Sequence, residues 1–213
     1  MTTPDAPLPT LDRVTLTGTH VELAPLGTEH AAALARACAP GTLDLFSRTP
    51  DSIEPATPED AERYVEEALA GWLRGKYLPF VVLDRVTGDV LGATRYGDID
   101  LEVPRMGIGW TWYSEHVRGT VVNPECKLLL LEHAFDTLGA GIVSLWTSGF
   151  NERSHAAIIK LGATRDGVLR RHVYQRDGRL RDTVIFSILA ERWPEVRAGL
   201  EARVEQQGAA WAG

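Results

Sequence analysis

The spacing of apolar residues divides the chain into short strands and amphipathic helices. Val14-Thr-Leu-Thr-Gly18 and Val21-Glu-Leu-Ala24 alternate apolar and polar positions around a turn, the two-residue period of a strand. Thr28 to Ala39 is alanine-rich and predicts a first helix. A second opens at Pro58-Glu-Asp, where Tyr64, Val65, Ala68, Leu69 and Trp72 recur at helical spacing. Three strands are expected next, Pro79 to Asp84, Val90 to Asp98 and Leu101 to Tyr113, the first two joined by a Thr87-Gly88-Asp89 turn. Leu128, Leu131, Phe135 and Leu138 mark one face of a helix that Gly139 ends. Ile142 to Thr147 reads as a short buried strand, and Asn151 to Leu161 as a helix stopped by Gly162. Arg165 to Tyr174 and Leu180 to Leu189 flank Asp177-Gly178, a strong hairpin signal, and Glu195 to Glu205 predicts a last helix.

Strands interleaved with helices in this order give a mixed sheet with helices on its faces, an α/β (α+β) fold in one domain. The domain is expected over residues 12–206, with 1–11 a flexible leader and 207–213 a tail. Met1 to Pro9 holds three prolines, an aspartate and no basic residue, so it does not read as a signal peptide. The connection from Pro40 to Pro58 is long for a compact domain, and connections of that length tend to carry function.

Bulk composition narrows the classes. With 213 residues, 44% hydrophobic and 24% charged, the chain can build a sizeable core. Its longest apolar run, Leu128 to Leu131, is far short of a membrane span. Cys38 and Cys126 lie far apart with no metal spacing or redox motif, so reduced, packed thiols and a cytoplasmic location are expected, and no metal site. A formal net charge of −7 argues against nucleic-acid binding.

The richest local signal is Val117-Arg-Gly-Thr-Val-Val-Asn123-Pro-Glu125. It joins the strand ending at Tyr113 to the helix beyond, with Asn123 expected as N-cap, Pro124 at the first helical position and Glu125 in the first turn. A strand, a glycine-containing loop and a helix start bring free amides together, and such a place favours an anion. Gly107 and Gly109 interrupt the preceding strand, which suggests a bulge or the close approach of another chain or ligand.

Several stretches together carry a family resemblance. They are Leu16-x-Gly18-x-x-Val21-x-Leu23-x-Pro25-Leu26; Ile108-Gly109-Trp110 with Gly119 nine residues on; Asn151-x-Arg153-Ser154 leading to Lys160-Leu161-Gly162-Ala163; and Asp166-Gly167-x-Leu169-Arg170, then Asp177-Gly178-x-x-x-Asp182 and Trp193-Pro194. In order and spacing the chain resembles the GNAT superfamily of N-acetyltransferases, most closely the branch similar to ribosomal-protein N-terminal (alpha-amino) acetyltransferases. The resemblance covers roughly residues 12–204. It implies a mostly antiparallel sheet of about seven strands, splayed at a bulged central strand, and acetyl-CoA as acyl donor to a primary amine. That amine would belong to a protein or peptide N-terminus, an amino acid or a polyamine-like metabolite. One departure is that Val121 and Asn123 stand where the family's loop has small residues. Only backbone amides need to face a pyrophosphate, so those side chains can point away.

The resemblance also implies roles. Backbone groups around Trp112, Tyr113 and Ser114 would pair with the pantetheine arm. Arg118, Gly119 and Thr120, with the amides of Val121, Val122 and Asn123, would hold the pyrophosphate. Asn151 would bond the pantetheine arm, although it also suits a helix N-cap. Ser154 would protonate the departing thiolate. The base that takes the proton of the amine is not fixed by the sequence. Glu115 and His116 stand at the end of the cleft strand, with Glu115 the expected one; Asp98, Glu102 and His172 lie on or near the strands that would wall the site, and Tyr174 is another acid. Trp110 and Trp112 alternate around Thr111 and should share a sheet face. Transfer of another acyl group such as succinyl, or acyl-CoA binding without catalysis, are the competing readings. Trp193 and Trp211 leave self-association open between monomer and homodimer.

Overall fold

The computed structural model describes residues 11–38, 53–175 and 178–211. Residues 1–10 of the expected leader, residues 39–52 of the long connection, Arg176 and Asp177 next to the expected hairpin turn in sequence, and residues 212–213 lie outside them.

An eight-stranded sheet runs β1-β2-β3-β4-β5-β6-β8-β7. That is one more than the resemblance implies; the apolar pattern itself marks both N-terminal pieces, and the chain folds back at Gly18 so that β1 (Leu16–Thr17) and β2 (Val21–Pro25) pair. The others are β3 (Leu78–Asp84), β4 (Val90–Asp100), β5 (Arg105–Tyr113), β6 (Ile142–Ser148), β7 (Thr164–Tyr174) and β8 (Leu180–Leu189). All neighbours are antiparallel except β5 and β6. The third expected strand begins at Arg105 and not Leu101, because the Asp100 carboxylate accepts from the amides of Glu102 and Val103 and turns the chain there.

Helices cover both faces. On one, α1 (Ala31–Ala37) and α2 (Pro58–Leu73) set Leu34, Tyr64, Val65 and Ala68 against Val81, Ala93 and Trp112. On the other, α3 (Val122–Glu132), α4 (Glu152–Leu161) and α5 (Trp193–Gly208) bring Leu130, Leu131, Ile158 and Leu200 onto Leu23, Phe80, Tyr96, Ile108 and Phe186. Each such buried side chain contributes about 1.5–3 kcal/mol. Trp193 stacks on Phe135 of its own chain, with centroids 5.5 Å apart, and donates to Asp136; Trp211 also packs on the chain's own core.

Helix boundaries follow capping where burial does not compete. Thr57 caps α2 by accepting from the Asp60 amide at 3.1 Å, and Gly162 closes α4 with φ 100°. The start of α3 departs from expectation: its N-cap is Val121, and Asn123 and Pro124 lie within the first turn. An asparagine cap is worth about 1 kcal/mol, whereas Val121 and Val122 are both fully buried at about 1.5–3 kcal/mol each, so burial decides. Beyond Glu132 the expected continuous helix loosens into a π-helical turn, His133–Thr137, before Gly139 at φ 67°.

Candidate active site

Strands β5 and β6 pair only across Arg105–Ile142, Met106–Val143 and Gly107–Ser144. Beyond Gly107 they part. The cause lies on the β4 side of β5, where the register slips between Ala93 and Arg95 and Trp110 takes φ 51°. The bulged residue is therefore Trp110, not either glycine. Gly107 serves differently: a Cβ there would lie 2.0 Å from Cζ3 of Trp146 on β6, so its bare backbone admits that ring. Gly97 makes the same room for Trp110, whose ring edge would meet a Cβ at 2.6 Å.

The gap between the parted strands is a cavity of about 630 Å³ that reaches both faces of the sheet. On the α3–α4 face it is lined by Arg118, Gly119, Thr120, Asn123, Lys127, Asn151, Arg153 and Ser154. The loop after β5 begins with a short turn at Glu115–Val117 anchored by buried Val117. Arg118 donates from Nε to the Tyr113 carbonyl, and Gly119 takes φ 83° with open space where a side chain would stand. The amides of Arg118 and Thr120 bond back to Glu115 and Val117. Those of Gly119, Val121 and Asn123 enter no such bond among the described residues, which leaves them at a helix start where an anion is favoured.

On the α2 face the wall is aromatic. Arg95, 1% exposed, lies 5.3, 4.9 and 5.1 Å from the ring centroids of Tyr64, Tyr77 and Trp110. Its Nη1 stands 3.7 Å from a Glu67 oxygen. Trp110 meets Trp146 edge to face at 6.0 Å. Trp110 and Trp112 share this face as expected and both line the cavity, Trp112 being also part of the α2-side core.

The residues singled out in the sequence divide. Trp112, Tyr113, Arg118, Gly119, Thr120, Asn123, Asn151, Ser154 and His172 line the cavity. Ser114, Val121 and Val122 do not: Ser114 is buried and bonds Leu91 on β4 from both N and Oγ, and the valines point into the core. Asn151 caps α4, its Oδ1 accepting from the Ser154 amide at 3.1 Å. Glu115 and His116 sit exposed on the turn after β5, Asp98 and Glu102 beyond the far end of the cleft, and Tyr174 largely in solvent, none of them in the lining. Among the described lining residues the only carboxylate is Glu67 and the only histidine His172.

Sequence reading passed over Glu67, Tyr77, Lys127, Trp146 and Arg181, all of which line the cleft. Lys127 is 8% exposed and donates to Thr111 Oγ1 at 3.0 Å; burial pushes its ammonium down to about 8. Its neighbour Cys126 is driven the other way, up to about 12, so that thiol is inert. A signal for Trp146 existed, since a glycine-broken strand calls for a large ring on its neighbour.

The Acetyltransferase (GNAT) domain family matches residues 20–164, and the chain belongs to that family. A candidate acetyltransferase from T. thermophilus is 33% identical, with 89% of this chain and 96% of that one covered and a TM-score of 0.77. A GCN5-related N-acetyltransferase from Brucella melitensis is 26% identical over 94% and 90% of the two chains, with a TM-score of 0.83. The uncharacterized N-acetyltransferase YoaA of Bacillus subtilis (strain 168) is 28% identical over 108 residues, which span 51% of this chain and 60% of that relative. Among the described residues no helix is long and apolar enough to cross a membrane, and no group of three or more His, Cys, Asp or Glu is arranged to hold a metal ion.

Proposed function

We propose that this chain transfers an acetyl group from acetyl-CoA to a primary amine by direct attack on the thioester. The observation that carries the reading is the parting of β5 from β6 after Gly107, which opens one cavity to both faces of the sheet. The amides and side chains from Arg118 to Asn123 hold the donor's pyrophosphate, Val121 and Val122 taking part through backbone alone. The free edge of β5 at Trp112 and Tyr113 pairs with the pantetheine arm, and Asn151 donates from its amide nitrogen, its oxygen being engaged in the helix cap. The microcin C7 self immunity acetyltransferase MccE, 17% identical with a TM-score of 0.70, holds acetyl-CoA and AMP; at that distance it supports only that this fold accommodates the donor.

The amine nitrogen forms a bond to the carbonyl carbon, the carbon–sulfur bond breaks, and its electron pair leaves on sulfur. Ser154 Oγ donates a hydrogen bond where that charge develops and passes a proton to the sulfur as it regains one from solvent. The proton released by the amine goes to Glu67, whose carboxylate faces the cleft beside Arg95. Glu115, exposed on the turn after β5, is outside the lining and is not assigned this role. Acceptors open to this chemistry are protein or peptide N-termini, as in the ribosomal-protein branch, and small amines.

Titration calorimetry with acetyl-CoA, followed by thiol release across an amine panel, tests the reading. Micromolar donor binding with amine-dependent release is expected, and Ser154→Ala should lower kcat about a hundredfold with donor affinity kept. Binding of acetyl-CoA without release for any amine would favour the non-catalytic acyl-CoA-binding module, and no binding would sink the reading.

A further inference from the structure

Arg181, the second residue of β8, is 6% exposed and lines the cleft. Its Nη1 donates to Thr183 Oγ1 at 3.1 Å and to the Asp182 carbonyl at 3.4 Å. Neither bond uses Nε or Nη2, and Nε is buried with no partner. Among the described residues no carboxylate lies within ion-pair distance of it. Burying a guanidinium without a counter-charge is unfavourable, so an anion supplied from outside would relieve it. The penalty also shows as a guanidinium pushed below its ordinary range by desolvation.

The surroundings are built to hold that geometry. Thr183 Oγ1 lies 3.1 Å from His172 Nδ1, so arginine, threonine and histidine form one patch of the cleft wall. His172 reaches it because β7 slips register between Leu169 and Val173, where Arg171 takes φ 51° and its amide is held by the Asp182 carboxylate at 2.7 Å. Ser148 on β6 pairs with Thr183, two residues beyond Trp146 and on the same sheet face. The patch is therefore continuous with the aromatic wall of Tyr77, Trp110 and Trp146. It lies across the cleft from the loop that offers free amides to the donor.

We propose that Arg181, with Thr183 and His172, is a carboxylate seat in the acceptor half of the cleft, and that the acceptor is an amino acid or close analogue. Its free carboxylate meets the arginine fork while its apolar side chain lies on the tryptophans. A guanidinium offering Nε and Nη2 on one edge matches the two oxygens of a carboxylate. The assignment rests on the acetyltransferase reading above and narrows its acceptor.

The experiment compares tryptophan, tyrosine, phenylalanine and methionine, each beside its carboxamide, in acetyl-CoA turnover by the full-length protein. Acid and amide share side chain and amine and differ in the charge that Arg181 would read. For at least one pair the acid should be favoured about tenfold or more in kcat/KM, through KM, and Arg181→Gln should reduce that ratio to about twofold or less. Acetyl-CoA affinity should stay within about twofold of wild type in the variant, and Arg181→Lys should restore part of the preference. Equal use of acids and amides, use of amides alone, or turnover of no member of the panel overturns the proposal; so does a preference that survives Arg181→Gln. Because the acid–amide comparison is made in the wild-type protein, a variant that fails to fold leaves the test intact. Donor binding with turnover of amines outside the panel would sink the carboxylate seat alone, whereas absence of acetyl-CoA binding would sink the underlying reading as well.

Discussion

The two walls of the cleft are made of different material. The side we propose for the donor is largely backbone: the free edge of β5 and the amides of a loop that tightens at Gly119 before α3. The acceptor side is side chains from distant parts of the chain, Glu67 and Tyr77 beside α2's end of the sheet, Trp110, Trp146 and Arg181. A backbone wall tolerates substitution, so the buried side chain of Val121 does not decide what the wall can hold. A side-chain wall depends on each residue and sets which molecule is accepted.

A backbone wall still has one side chain beneath it. Glu125, 3% exposed in the first turns of α3, accepts from the amides of Thr19, His20 and Val21 at 2.6, 2.9 and 3.1 Å and lies 3.2 Å from His20 Nδ1. It clasps the β1–β2 turn to the helix that ends the donor loop, and Gly18 is bare because a Cβ would meet that carboxylate at 2.8 Å. Glu125→Ala leaves three amides without their acceptor, that of Val21 buried and those of Thr19 and His20 nearer to water. An unsatisfied buried group costs about 1–3 kcal/mol, so a loss of about 3 kcal/mol is expected once the two half-open bonds are added. Urea unfolding checks it. A loss below about 1 kcal/mol would show that the donor wall stands without the clasp.

The acceptor wall should break at its hinge. Gly107→Ala would press a methyl into the Trp146 ring, which Trp110 holds from the other side. Overpacking of that kind costs about 1–3 kcal/mol. The acceptor KM should rise more than the dissociation constant of acetyl-CoA changes. Gly109→Ala is the control: its Cβ would meet Trp146 at an ordinary 3.8 Å, and stability should move by no more than about 0.5 kcal/mol. Equal losses from the two substitutions would mean that ring contact does not set the shape of the cleft.

The same contrast explains what could be read from sequence. Local patterns declared α2, the strands and the Gly162 helix stop, since capping and periodicity act within a few residues. The cavity-lining residues Arg118, Gly119, Asn151 and Ser154 could be singled out for the same reason, as they sit where strands hand over to helices. Glu125 read only as a helix-start charge, because its partners lie more than one hundred positions away at Thr19 to Val21. Arg181 was passed over as a polar residue in a hairpin strand. In retrospect it alternates with Thr183 and Ile185 on one face, and an arginine there signals either a partner or a ligand. Trp110 hid the bulge, since glycine was the residue expected to make it.

The smallest effect comes from the other buried charge on α3, and its sign is opposite. Glu125 is surrounded by donors, whereas Lys127, two residues on, has a single hydroxyl, Thr111 Oγ1, to receive its ammonium. Burial therefore lowers its pKa from 10.5 to about 8. Between those values the unfolded chain binds a proton that the folded chain has released, so stability rises with pH across that window. Below pH about 8 both states are charged and the burial penalty is fully present. Lys127→Met should then be more stable than wild type at pH 7, on the order of 1–2 kcal/mol, with the gap closing as pH rises toward about 10. Denaturant midpoints of both proteins at several pH values measure it. If the variant is the less stable one at pH 7, the ammonium is better satisfied than one hydroxyl allows. The lysine would then belong with Glu125 among the groups that hold the donor wall together.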